Sequence, residues 1–127
     1  MCGIVGYIGK TEASNILISG LKRLEYRGYD SAGICTIENN KLMTTKCKGK
    51  VSDLESKINL NLHTSFVGIG HTRWATHGEP NTKNAHPHSD SNNQFSLIHN
   101  GIIENHYSIK EYLLSKGVEF SSDTDTE

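Results

Sequence analysis

Two neighbouring runs, residues 31–38 (SAGICTIE) and 41–47 (KLMTTKC), read as strands separated only by Asn39-Asn40. So short a connection predicts an antiparallel hairpin. Everything else has to be built around that ribbon. Residues 2–8 (CGIVGYI) are short, apolar and β-branched, and predict a buried strand. Residues 11–26 carry Ile16, Leu17, Leu21 and Leu24, a helical stripe that Gly28 is placed to stop. Ser52-Asp53-Leu54-Glu55 fits a capping box that opens a short helix with Leu54 and Ile58 on one face. Residues 65–71 (SFVGIGH) and 94–99 (QFSLIH) are strand-like, and Asn100-Gly101 ends the second. A helix capped by Asn105 or Ser108 is expected through Lys116, with Ile109, Tyr112 and Leu113 inward and Gly117 as its stop. Residues 118–120 begin a further strand. Strands in groups with helices between them predict an α+β chain, a sandwich of sheets covered by helices.

One stretch resists this description. Residues 72–93 are polar, hold both prolines and lack apolar periodicity. A loop of that length in a compact domain is usually functional or disordered. This one gathers Arg73, Trp74, Thr76, His77, Asn84, His86 and His88, which argues for function. The histidines invite a metal reading, yet His86-Pro87-His88 is the only close pair and no Cys pair accompanies it, so no metal site is expected.

Bulk properties exclude several classes. The 127 residues suit one domain, and a net charge near −1 with scattered Lys and Arg gives no footprint for nucleic acid. No apolar run approaches the ~18 residues of a membrane span, and no secretory leader is evident. Three cysteines (Cys2, Cys35, Cys47) without metal-type spacing fit reduced thiols in a cytoplasmic protein.

Cys2 has a second meaning. Removal of Met1 would leave a thiol and a free α-amine on one residue, with ordinary pKa values of about 8.5 and about 8. Such a residue supplies a nucleophile and a base together. On position alone, the buried start of a strand is the favoured reading of Cys2.

The blocks CGIVG (2–6), LEYRGYDSAG (24–33), HTRWATHGEP (71–80), NAHPH (84–88), HNGIIEN (99–105) and TDTE (124–127) change that balance. With them, the chain resembles along its whole length the glutaminase domain of the glutamine–fructose-6-phosphate aminotransferase family. The short CGI start is shared by all class II amidotransferases. The YRGYDSAG and HTRWATHGEP blocks are narrower and point away from the purine-pathway members.

The resemblance implies the N-terminal-nucleophile (Ntn) hydrolase fold, an αββα sandwich of which this chain holds the N-terminal part, because the family domain continues past Glu127. Sugar-isomerase domains that bind fructose 6-phosphate follow it in the family and are absent from these residues. By the same resemblance Cys2 is the nucleophile, with its own α-amine as base. Asn100 and Gly101 form the oxyanion hole. Arg73, Thr76, His77, Gly101 and Asp125 bind glutamine, Arg73 taking the α-carboxylate and Asp125 the α-ammonium. Trp74 belongs to a mobile lid, and Arg27 supports the nucleophile end. No cofactor is implied, and the full-length family protein is a homo-oligomer. The competing reading is a truncated, inactive remnant or a fragment that only binds a partner. Glutamate release that disappears in Cys2→Ala separates the two.

Overall fold

In the computed structural model, residues 1–59, 63–75 and 78–127 are described. The hairpin is present: β2 (Ser31–Glu38) pairs antiparallel with β3 (Lys41–Lys48) from Ser31↔Lys48 to Glu38↔Lys41. Asn39 and Asn40 take φ of 48° and 61°, the left-handed pair that matches the turn to the twist of its strands. β1 (Gly3–Ile8) and β4 (Val67–Arg73) complete a four-stranded antiparallel sheet in the order β1-β4-β2-β3.

Helix α1 (Ala13–Leu24) and the short α2 (Val51–Lys57) cover one face. The face that α1 buries is Ala13, Ser14, Leu17, Ile18 and Leu21, so Ile16, expected inward, is instead exposed. Leu17 and Leu21 lie over Gly68 and Gly70 of β4 and, with Ala32, Ile34, Cys47, Val51 and Leu54, form the core. A single 3-10 turn, Glu25–Arg27, extends α1, and Gly28 stops it with its N–H on the Glu25 carbonyl at 2.9 Å. Helix α2 begins two residues earlier than the expected box, with Lys50 rather than Ser52 at the N-cap. The Lys50 N–H is held by Asp53 Oδ2 (2.8 Å) and the Val51 N–H by Glu25 Oε1 (2.6 Å), which satisfies donors a helix start leaves bare.

The opposite face is covered by the polar stretch. Residues 84–88 are all buried there, and a β-carbon on Gly33 would stand 2.1 Å from the His86 carbonyl oxygen. Only a bare backbone at Gly33 permits that approach. Two two-residue strands, β5 (His88–Ser89) and β6 (Ser96–Leu97), pair beside it. The strand expected over residues 94–99 is therefore shorter than its apolar pattern, because among the described residues only β5 pairs with it.

Helix α3 (His106–Ser115) forms where expected, but none of its side chains is buried, and Ile109 and Tyr112 face solvent. Its apolar stripe has no facing element among the described residues. For the same reason residues 118–120 are not a strand: they have no ladder partner there. No described helix is long and apolar enough to cross a membrane.

Candidate active site

The site is assembled by the ends of two adjacent strands. β1 and β4 pair with Gly3 opposite Thr72, so Cys2 lies beside the Arg73–Trp74 end of β4. The Gly3 N–H donates to Thr72 Oγ1 at 3.1 Å, which fixes the chain next to Cys2. The Trp74 N–H donates to Cys2 Sγ at 3.1 Å, and Cys2 Sγ is 3.6 Å from the Trp74 carbonyl oxygen. The thiol is thus oriented by backbone from a residue 72 positions away.

Asn100 closes the other side. Its Nδ2 donates to the Cys2 carbonyl at 3.2 Å, and its Oδ1 is 2.7 Å from His71 Nε2. A carbonyl only accepts, so the amide nitrogen must face Cys2. Oδ1 then faces His71, which must carry its proton on Nε2. His71 is buried and stacks on His86 with ring centroids 4.4 Å apart; His86 meets His88 edge-on at 4.6 Å. Burial holds His71 below its ordinary pKa, against a raising contribution from the Asn100 hydrogen bond. Burial, with the neighbouring cationic forms of His71 and His88, pushes His86 down to about 2. Burial and Lys46 push His88 to about 4. These rings are neutral packing and hydrogen-bonding groups at neutral pH. Among the described residues no cluster of three or more His, Cys, Asp or Glu is arranged to hold a metal.

Arg73 is 4% exposed. Its guanidinium donates to the carbonyls of Glu79 (3.3 Å) and Gly78 (3.4 Å) and stands 4.0 Å from Asp30 Oδ1. Asp30 also accepts from the Ala75 N–H and from the Ser31 hydroxyl. No role was attached to Asp30 or His71 in the sequence, although both lie inside the narrow blocks. The signal available was a polar residue at the end of, or within, an otherwise apolar strand.

Trp74 is about half exposed and lies over Gly28, where a β-carbon would stand 2.5 Å from its Cε3. Gly28 also has φ 104° and ψ 149°, a region that L side chains avoid. Arg27 contacts Met1, next to Cys2: its carbonyl accepts from the Met1 ammonium at 2.7 Å and its Nη2 is 3.2 Å from Met1 Sδ.

Gly101 follows Asn100 at an exposed bend, and its N–H has no partner among the described residues. Asp125 Oδ2 accepts from the Ile103 N–H at 2.8 Å, tying the tail to the loop that bears Asn100 and Gly101. Asp123 instead pairs with Asn84, through its N–H (2.9 Å) and Oδ2 (3.4 Å). The tail is not frayed. Ser122, Thr124 and Thr126 are buried, and Glu127 accepts from the N–H and hydroxyl groups of Ser121 and Ser122. Thr76 and His77 lie outside the described residues. A cavity of about 1200 Å³ opens elsewhere, between β3 and residues 117–121, and none of Cys2, Arg73 or Asn100 lines it.

Comparison with known proteins gives this geometry its context. Residues 57–127 match the glutamine amidotransferase domain family. The whole chain is 58% identical to the glutamine–fructose-6-phosphate aminotransferase (isomerizing) of Clostridium acetobutylicum and 61% identical to that of Bacteroides thetaiotaomicron, covering 21% of each. The chain thus spans about a fifth of the length of these relatives. Among solved structures, the glutamine phosphoribosylpyrophosphate amidotransferase of B. subtilis superposes with a TM-score of 0.80 at 30% identity, over 99% of this chain and 27% of that one. A structure described as the allosteric regulatory enzyme of purine biosynthesis gives 0.82 at 31% identity, over 99% and 28%. These neighbours share the Ntn architecture expected from the sequence. With a matching family model over more than half its length, the chain belongs to the glutamine amidotransferase family.

Proposed function

We propose that this domain hydrolyses glutamine through a glutamyl thioester on Cys2. The observation that carries the reading is the meeting of three distant segments at one residue: Trp74 N–H on Cys2 Sγ and Asn100 Nδ2 on the Cys2 carbonyl. After removal of Met1, the Cys2 α-amine takes the thiol proton, and sulfur attacks the side-chain amide carbon. The tetrahedral oxyanion forms against the second Asn100 amide hydrogen and the Gly101 N–H, which has no partner among the described residues. The ammonium form of the amine returns its proton as ammonia leaves, and water then hydrolyses the thioester to glutamate. Arg73 takes the substrate carboxylate, which requires the carbonyls of residues 78–79 to yield their long hydrogen bonds to it. Asp125 takes the ammonium with the oxygen not engaged by Ile103. Thr76 and His77 complete the glutamine site, and Trp74 closes it.

The proposal extends to the whole family protein. Residues 1–127 belong to its glutaminase domain, and ammonia passes to fructose 6-phosphate in separate sugar-isomerase domains of a homo-oligomer. Identities of 53–61% with relatives bearing that activity in their names support this extension. The test is glutamate release by the protein as encoded. Cys2→Ala abolishes it, and Asn100→Ala lowers kcat about 100- to 1000-fold, the usual loss for one oxyanion donor. Release that survives Cys2→Ala refutes the reading.

A further inference from the structure

His71 is a buried polar group that the chemistry above leaves unused. It sits in the middle of a strand, stacked on His86, with Nδ1 unpartnered among the described residues. Packing alone accounts for the ring, but not for the 2.7 Å contact between His71 Nε2 and Asn100 Oδ1.

An asparagine side chain has two faces of opposite character. Turned one way, Asn100 presents N–H hydrogens toward Cys2 and the reacting amide. Turned by 180°, it presents Oδ1, whose lone pairs would repel a developing oxyanion. The Cys2 carbonyl favours the first orientation through a 3.2 Å bond, longer than the bond on the His71 side. Asn100 is exposed, so close packing does not hold its amide.

We propose that His71 is the positioning residue for Asn100: its Nε2–H clamps Oδ1 so that the amide hydrogens, not the oxygen, face the oxyanion of the glutaminase reaction. The proposal rests on the reading above. Its distinctive feature is that His71 acts only through Asn100. The unpartnered Nδ1 fits, because a proton there would leave Nε2 without the hydrogen that Asn100 requires.

The test uses the full encoded protein with its amino terminus processed. His71→Phe keeps a ring against His86 but removes the donor. It is expected to lower kcat for glutamate release about 10- to 100-fold, up to the loss of the Asn100 donor itself, with KM changed less than about threefold. His71→Gln, which restores an N–H at similar reach, is expected to recover most of that loss. In an Asn100→Ala background, His71→Phe is expected to add almost nothing, because the group it positions is gone.

An unchanged kcat in His71→Phe, an effect confined to KM, or full additivity with Asn100→Ala would overturn the proposal. ¹⁵N spectra of the unsubstituted protein give an arm that does not depend on a folded His71→Phe variant. An Nε2–H tautomer at His71 supports the clamp, and an Nδ1–H tautomer overturns it. No glutamate release by the unsubstituted protein would overturn the glutaminase reading, whereas release that His71→Phe leaves untouched overturns only the clamp.

Discussion

Replacing Gly28 by Ala perturbs the seat of Trp74, the proposed lid residue, without touching Cys2. Two independent costs follow from the structure. The backbone at Gly28 has φ 104° and ψ 149°, and a side chain forced there costs roughly 1–3 kcal/mol. The added methyl would stand 2.5 Å from Trp74 Cε3, too close for any real contact. Overpacking costs about 1–3 kcal/mol, and the half-exposed indole can swing outward, so the lower end applies. The sum is about 2–4 kcal/mol. With a urea m-value of ~2 kcal/mol/M, the midpoint should fall by roughly 1–2 M. Trp74 is the only tryptophan, so its emission reports the ring directly. Gly28→Ala should shift that emission toward the solvent-exposed value even in folded protein and, on the proposed role of Trp74 in closing the glutamine site, lower glutaminase kcat. Gly28→Ala combined with Trp74→Ala should show only the backbone part of the loss. Unchanged emission and midpoint in Gly28→Ala would refute the assignment of Gly28 as the seat of the indole.

Retaining Met1, by a blocked amino terminus or a tag, should abolish glutamate release; full activity with Met1 verified by mass spectrometry would remove the α-amine from the mechanism. Gly33→Ala should destabilise by about 3 kcal/mol or prevent folding, because the new methyl meets backbone at the His86 carbonyl, and a near-normal thermal midpoint would contradict that packing. The pH dependence follows from His86 and His88, held to about 2 and about 4 against an ordinary value near 6.5. Lowered folded-state values mean that the unfolded chain binds more protons below pH ~6.5, so stability is full above that value and falls as pH drops. Between pH ~6 and ~5, before carboxylates titrate, each of the two rings adds a slope approaching ~1.4 kcal/mol per pH unit, and His88→Gln should remove the His88 share. A flat urea midpoint across that range would refute neutral burial of the pair.

Much of this architecture was legible from local chemistry. Asn39-Asn40 specified the hairpin because few side chains tolerate two successive left-handed residues. The α1 stripe identified the covered face, and only Ile16 was misplaced, since the buried arc is centred on Leu17 and Leu21. The reading was weaker wherever an element depends on a partner. The apolar pattern of α3 and of residues 118–120 implies facing surfaces, and a periodicity cannot tell whether one is supplied. The buried side of residues 84–88 was equally hidden. A polar segment reads as a solvated loop until Gly33 is found to admit its backbone. At the site, the motif blocks named Cys2, Arg73, Asn100 and Asp125. The supporting bonds of Asp30, His71 and Glu127 join residues far apart in sequence or at a chain end, where spacing carries no information.

The pairing of β1 with β4 has a consequence in time. Gly3 is hydrogen-bonded across to Thr72, 69 residues later. At a synthesis rate of about 5–20 residues per second, that partner is made roughly 3–14 s after the amino terminus. Throughout that interval the first strand has no edge to join, and Met1-Cys2 is an unstructured peptide end. The strand order β1-β4-β2-β3 therefore leaves the amino terminus open to an aminopeptidase before the sheet closes around it.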